Sequence, residues 1–189
     1  MTARIVSAIH PGSCGDFAKA SSLEDEVVNL FDQLQDRLLR YLLSLGLSAS
    51  DGEEIIQETF LALFLHLRRG KPRPNLRAWV FQVCHNLALK HRNATLRNRQ
   101  TLVEYDRIAA ENVFVDDAPN PEDRVAKDER RVRLLNIWRV LPEQDRRCLG
   151  LRAEGLTYRE IAHVLDMSLG AVSLSLGRSL ARFARADGR

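Results

Sequence analysis

From Leu96 to Asp123 the chain loses the three- and four-residue apolar spacing of both its flanks, and this interruption constrains the fold more than any other feature. The stretch is acidic, with Glu104, Asp106, Glu111, Asp116, Asp117, Glu122 and Asp123 around Pro119 and Pro121. It is too long for a loop inside a compact domain, so the pattern predicts two helical domains joined by a linker. Upstream, Leu23, Val27, Leu30, Leu34, Leu38, Tyr41, Leu42 and Leu45 make one apolar helix face. A second helix opens on a Ser50–Glu53 capping box and runs through Ile55, Ile56, Phe60, Leu63, Phe64 and Leu67. The Pro-containing loop 68–74 stops it, and Asn75 caps a third helix with Leu76, Trp79, Val80, Val83, Cys84 and Leu87 inward. No strand-like alternation persists, so the expected class is all-α. The expected layout is a flexible extension at 1–22, a helical domain at 23–97, a flexible acidic linker at 98–124 and a second helical domain at 125–189.

In the second domain, Pro142 opens a helix with Cys148, Leu149 and Leu151 on its apolar side, and Gly155 suits the left-handed position after it. Thr157 and Glu160 have capping-box spacing and begin a short helix with Ile161, Ala162, Val164 and Leu165 inward. Asp166 and Met167 make the turn, and Ser168 caps a last helix with Val172, Leu176, Leu180 and Phe183 inward. Two short helices meeting at a small residue, Ala162, predict a helix-turn-helix whose second helix enters a major groove. A helical hairpin that merely packs is the alternative.

The net charge of +3 conceals a strong division. Between Glu58 and Glu104 there is no acid, while Arg68, Arg69, Lys71, Arg73, Arg77, Lys90, Arg92, Arg97 and Arg99 fall there. Before it, acids dominate. The basic block suits phosphate and the acidic segment suits a basic partner, although solvated helix faces would show the same pattern. Cys14, Cys84 and Cys148 are scattered and odd in number, which predicts free thiols in a reducing cytoplasm, with no metal site and no cofactor. No apolar run approaches ~18 residues, so no membrane insertion is expected. The histidines have no nucleophile or carboxylate at a catalytic spacing, so the chain is not expected to be an enzyme.

Three ordered motifs carry a family resemblance: Asp51 to Phe60 (DGEEIIQETF), Leu76 to Phe81 (LRAWVF) with Asn86-Leu87-Ala88, and Glu154 to Ala162 (EGLTYREIA). With them the chain resembles the extracytoplasmic-function (ECF) sigma factors of bacterial RNA polymerase, its first domain like sigma region 2 and its second like region 4. The resemblance implies that Asp51, Glu54, Gln57 and Glu58 contact core RNA polymerase. It also implies that Arg73, Asn75, Arg77, Trp79, Asn86, Lys90 and Arg92 open and hold the −10 element of promoter DNA. Trp79 lies on the apolar face and is open to core packing or base stacking. For the −35 element it implies Thr157, Tyr158, Arg159, Ser168, Gly170, Ala171, Ser173, Leu174 and Arg178. The linker of about twenty flexible residues can stretch to at most ~70 Å. An anti-sigma factor is a further implied partner.

The chain departs from the family in its recognition helix. Ser173 and Ser175 stand where Lys or Arg is common, and Gly177 weakens the helix by up to ~1 kcal/mol relative to Ala. Fewer cations predict weaker −35 binding with a shallower salt dependence. Two competing classes follow: a stand-alone helix-turn-helix regulator, and a sigma-fold interaction protein with weak DNA binding.

Overall fold

A computed structural model describes residues 14–72, 74–99 and 121–186, which form seven helices and no strand among the described residues. They are α1 (Cys14–Ser44), α2 (Ala49–Arg68), α3 (Leu76–Arg99), α4 (Pro121–Val140), α5 (Glu143–Ala153), α6 (Tyr158–Leu165) and α7 (Leu169–Ala186). The all-α expectation holds. No described helix is long and apolar enough to cross a membrane. Residues 1–13, the linker segment 100–120 and Arg73 lie outside the described residues.

Helix α1 begins at Cys14, so residues 14–22, expected to be flexible, are helical. Apolar spacing is a signal of burial, whereas an established helix extends at little cost beyond its buried part. The cap of α2 is Ser48 rather than Ser50: Ser48 is extended (φ −70°, ψ 161°), and its hydroxyl accepts from Asp51 N at 3.1 Å. Leu47, buried just before it, sets where the chain turns inward. The other caps follow the sequence. Asn75 Oδ1 accepts from Ala78 N at 3.2 Å, and Ser168 Oγ from Ala171 N at 3.2 Å. Thr157 and Glu160 complete both halves of their box, at 3.3 and 2.7 Å.

The first bundle packs α1, α2 and α3 around Leu38, Tyr41, Leu42, Leu63, Val80, Phe81 and Cys84, all nearly or fully sealed from water. Phe31 meets Phe60 edge to face at 5.0 Å. In the second bundle Cys148, Leu151, Leu156, Ile161, Val172 and Leu176 are sealed. Truncating a leucine in either core to Ala costs about 2–5 kcal/mol. Leu180, expected inward, is 56% exposed, and Ser175 and Ser179 are buried in its place. They are tolerated because each hydroxyl is satisfied, Ser175 by Asp145 at 2.6 Å and Ser179 by the Ser175 carbonyl at 3.0 Å.

The two bundles share one continuous apolar cluster. Helix α5 crosses α1 at Gly150, where a Cβ would come within 3.0 Å of Ser44 Oγ and 3.3 Å of the Tyr41 ring. A side chain at this position would require Ser44 and the Tyr41 ring to give way by a few tenths of an ångström.

Candidate nucleic-acid and partner interfaces

Helix α2 buries Ile55, Ile56, Thr59, Phe60, Leu63 and Leu67. Its 3.6-residue period therefore turns Glu54, Gln57 and Glu58 to water. Leu61 and Leu65 lie on that same outward stripe, 59% and 38% exposed. Neither falls in the inward run of Ile55, Ile56, Phe60, Leu63, Phe64 and Leu67, and a single outward leucine is no signal of a partner by itself. Asp51 is half-buried, 3.6 Å from His91 Nε2. An outward stripe that alternates carboxylates with leucines suits a partner surface carrying both cations and apolar contacts.

Helix α3 places the first-domain cations and amides. Asn86 and Lys90 are exposed, while Arg77, Trp79 and Arg92 are half-buried. Trp79 stacks on His66, with ring centroids 4.5 Å apart, and His66 Nε2 lies 3.1 Å from the Pro72 carbonyl, pinning the loop before α3. Asn75 is in the left-handed region (φ 52°), which its short amide side chain tolerates while capping the helix.

Several of these groups are engaged by the second domain. Arg77 donates to the Glu154 carbonyl at 2.8 Å. The Glu154 carboxylate takes a two-pronged hydrogen bond from Arg40, at 3.1 and 2.8 Å. Glu143 bridges Arg92 of α3 and Arg147 of its own helix. Burial pushes the Glu143 carboxyl up, but the hydrogen bonds from the two guanidiniums outweigh it and hold the group below its ordinary value. Glu160 behaves likewise: burial raises it, and hydrogen bonds from Thr157 and the Asn75 amide, with the Arg77 charge, bring it down. Gln82 Nε2 donates to the His163 carbonyl at 3.3 Å. Beneath this seam Tyr41 Oη lies 2.8 Å from His85 Nδ1. Burial lowers His85 to about 4, helped by the charges of Arg147 and Arg92, so the ring is neutral at pH 7.

Gly155 (φ +80°) ends α5 as its position suggested, and a Cβ there would meet an Arg77 guanidinium nitrogen at 3.2 Å. Glu143, Glu154 and Gly150 were not singled out in the sequence as partners of the first domain. Their partners are far along the chain, and no local spacing encodes them.

The helix-turn-helix faces outward. Thr157, Tyr158 and Arg159 at the start of α6 are exposed, with Arg152 5.6 Å over the Tyr158 ring. On α7, Gly170, Ser173, Leu174 and Arg178 are exposed, Ala171 is half-buried, and Ser168 at the cap is exposed. Ser175 is 1% exposed, so it occupies a core position rather than a depleted DNA contact. Arg178 turns back to Asp145 at 3.1 Å. Burial raises the Asp145 carboxyl, but hydrogen bonds from Ser175 and Arg178 hold it below its ordinary value.

The sigma-70 region 2 family matches residues 30–98, and the sigma-70 region 4 family matches residues 131–183. The chain is 30% identical over 157 residues to the ECF RNA polymerase sigma factor SigE of Mycolicibacterium smegmatis, covering 82% of this chain and 57% of that protein. It is 27% identical over 143 residues to the ECF RNA polymerase sigma-E factor of Escherichia coli, covering 73% of this chain and 74% of the relative. The chain thus spans little more than half the length of the mycobacterial relative. Its fold resembles that of the sigma factor RpoE solved with the anti-sigma factor NepR from Bartonella quintana, with TM-score 0.60 and 18% identity, covering 85% of this chain and 96% of that one. It also resembles CnrH solved with the cytosolic domain of CnrY, with TM-score 0.56 and 23% identity over 88% of this chain and 90% of that one.

Proposed function

The chain belongs to the ECF sigma factors of the sigma-70 family, and on that premise we propose that it binds core RNA polymerase, directs it to promoters and helps to open them. The outward stripe of α2 supports this most directly: Glu54, Gln57, Glu58, Leu61 and Leu65 are turned to solvent beside a sealed core. Carboxylates steer the encounter with a basic partner, and the two leucines supply apolar area on contact. Asp51 joins them at the helix start.

On α3, Lys90, Arg77 and Arg92 supply phosphate contacts along an unpaired strand, while the amides of Asn75 and Asn86 read extruded bases. Arg73, just before Asn75 in the sequence, is the further −10 contact that the resemblance implies. Trp79 serves chiefly to fix that loop through His66. Melting costs about 1.4 kcal/mol per stacked step, which strand binding shared with the polymerase must offset. Region 4 reads the −35 element through Thr157, Tyr158, Arg159 and the exposed face of α7 from Ser168 to Arg178. We place the functional domains at 23–97 and 125–189 around the linker 98–124, which the two family-matched segments support. The protein acts in the cytoplasm without cofactor or catalytic group, and an anti-sigma factor is a further partner.

The test is gel filtration of the chain with core polymerase, followed by transcription from a library of upstream fragments. Co-elution and specific transcripts are expected, and absence of a core complex overturns the proposal. Leu61→Asp and Glu58→Lys should each weaken that complex.

A further inference from the structure

A cleft of about 440 Å³ opens between the C-terminal end of α1, the end of α4 and α5. Its apolar walls are Leu43 and Leu45 on one side and Leu135 and Trp138 on the other, all four only half-buried. Its charged lining is Arg40, Arg92, Arg139 and Arg146 against Glu143 and Glu154. Both glutamates are already matched, Glu154 by Arg40, and Glu143 by Arg92 and Arg147. Arg139 and Arg146 form no ion pair or side-chain hydrogen bond among the described residues. We propose that the cleft binds a small amphipathic carboxylate, its apolar body between the leucines and Trp138 and its acid on Arg139 and Arg146. The ligand is additional to the polymerase and DNA proposed above, and the site depends on neither.

Volume and wall chemistry together set the class of ligand. Small-ligand sites run from about 300 to 1,000 Å³ and combine apolar walls with a few placed polar groups. One turn of helix about 10 Å across fills roughly 400 Å³, so a partner helix would seat little more than a single turn here. A bare inorganic anion would meet the arginines and leave the walls in water, while a neutral apolar molecule would cover the walls and leave both guanidiniums without an acid. A carboxylate on an apolar body does both. Arg139 is exposed and Arg146 half-buried, which puts the acid towards the mouth of the cleft. The Trp138 indole offers the body a flat apolar face for stacking.

The test is calorimetric titration of the full chain with 2-naphthoate, a rigid two-ring carboxylate, at pH 7. One-to-one binding is expected. The amide, 2-naphthamide, keeps the rings and loses the charge, and should bind about tenfold more weakly. Arg139→Ala with Arg146→Ala should weaken the naphthoate by about tenfold or more and leave the amide unchanged. Removing the same charge outside the cleft, by Arg68→Ala with Arg69→Ala, should alter neither ligand. Trp138→Ala should weaken acid and amide alike, because it takes away wall rather than charge. Inorganic phosphate should not displace the naphthoate. The site is overturned if the parent chain binds no naphthoate, if the amide binds as tightly as the acid, or if the variant lacking Arg139 and Arg146 binds naphthoate as the parent does. Displacement by an equal concentration of phosphate would reduce the cleft to a plain anion site and overturn the amphipathic class.

Discussion

Helix α3 is rich in cations yet partly covered, whereas the first half of α7 presents an open face and its cations, Arg178, Arg182 and Arg185, lie in the second half. Arg77 and Arg92 are committed to Glu154 and Glu143, and on α7 only Arg178 among the exposed residues from 168 to 178 carries charge. Charge along a sequence is therefore a poor measure of the charge a surface offers. A cation already bound to a carboxylate or carbonyl oxygen must exchange partners before it can hold phosphate, while an open face binds only as strongly as its own donors allow.

The sharpest way to separate the buried from the open positions of α7 is to place the same cation at each. Ser175→Lys puts a long charged side chain into a sealed site and should destabilise the chain by about 3 kcal/mol or more, read as a lower urea midpoint. Comparable stability in that variant would mean that α7 rotates its buried face outward.

Acid probes the seam under α3. His85 is held neutral, with its value lowered to about 4 by burial and by Arg147 and Arg92. Its unfolded counterpart binds a proton below about 6.5, so stability is complete above that value and falls as pH drops towards about 4. The loss should approach roughly 3 kcal/mol, at about 1.4 kcal/mol per pH unit. Glu143, also facing the seam, is held below the ordinary carboxylate value, so its contribution is lost at still lower pH. Urea unfolding at pH 7 and pH 4.5 reads the difference, and His85→Phe should flatten the slope above pH 4.5.

Smaller effects separate the two proposed DNA faces in function. Lys90→Ala removes an exposed cation of α3 that forms no ion pair with region 4 among the described residues, and should weaken promoter opening by about tenfold while leaving core co-elution intact. Equal loss of both would contradict a strand-holding role. Smallest of all, Ser173→Lys adds a cation to the open face of α7 and should steepen the salt dependence of duplex binding by about one unit of logarithmic slope, with stability unchanged.

Much of the architecture was legible because it is local. The period of Leu34, Leu38, Tyr41 and Leu42, the Thr157–Glu160 box and the glycine after α5 each encode their structure within one or two turns. The errors share one cause. Ser50 and Leu180 fit their patterns as well as the residues actually used, and only packing against Leu47 or Asp145 decided between them. The polar stripe of α2 was legible too, but not a role for Leu61 and Leu65, since a place off the inward run does not say whether a leucine meets water or a partner.

What the sequence determined by itself was helical class, the two-part organisation and the two helices bearing acid or base, since each follows from neighbours a few residues apart. Tertiary structure alone decided that Ser175 is core rather than DNA-facing, and that Glu143, Glu154 and Glu160 close on α3. Arg40 and Glu154 stand 114 residues apart. A pair that distant meets only after both bundles have formed and Gly150 has let α5 settle on α1, so no local pattern can announce it.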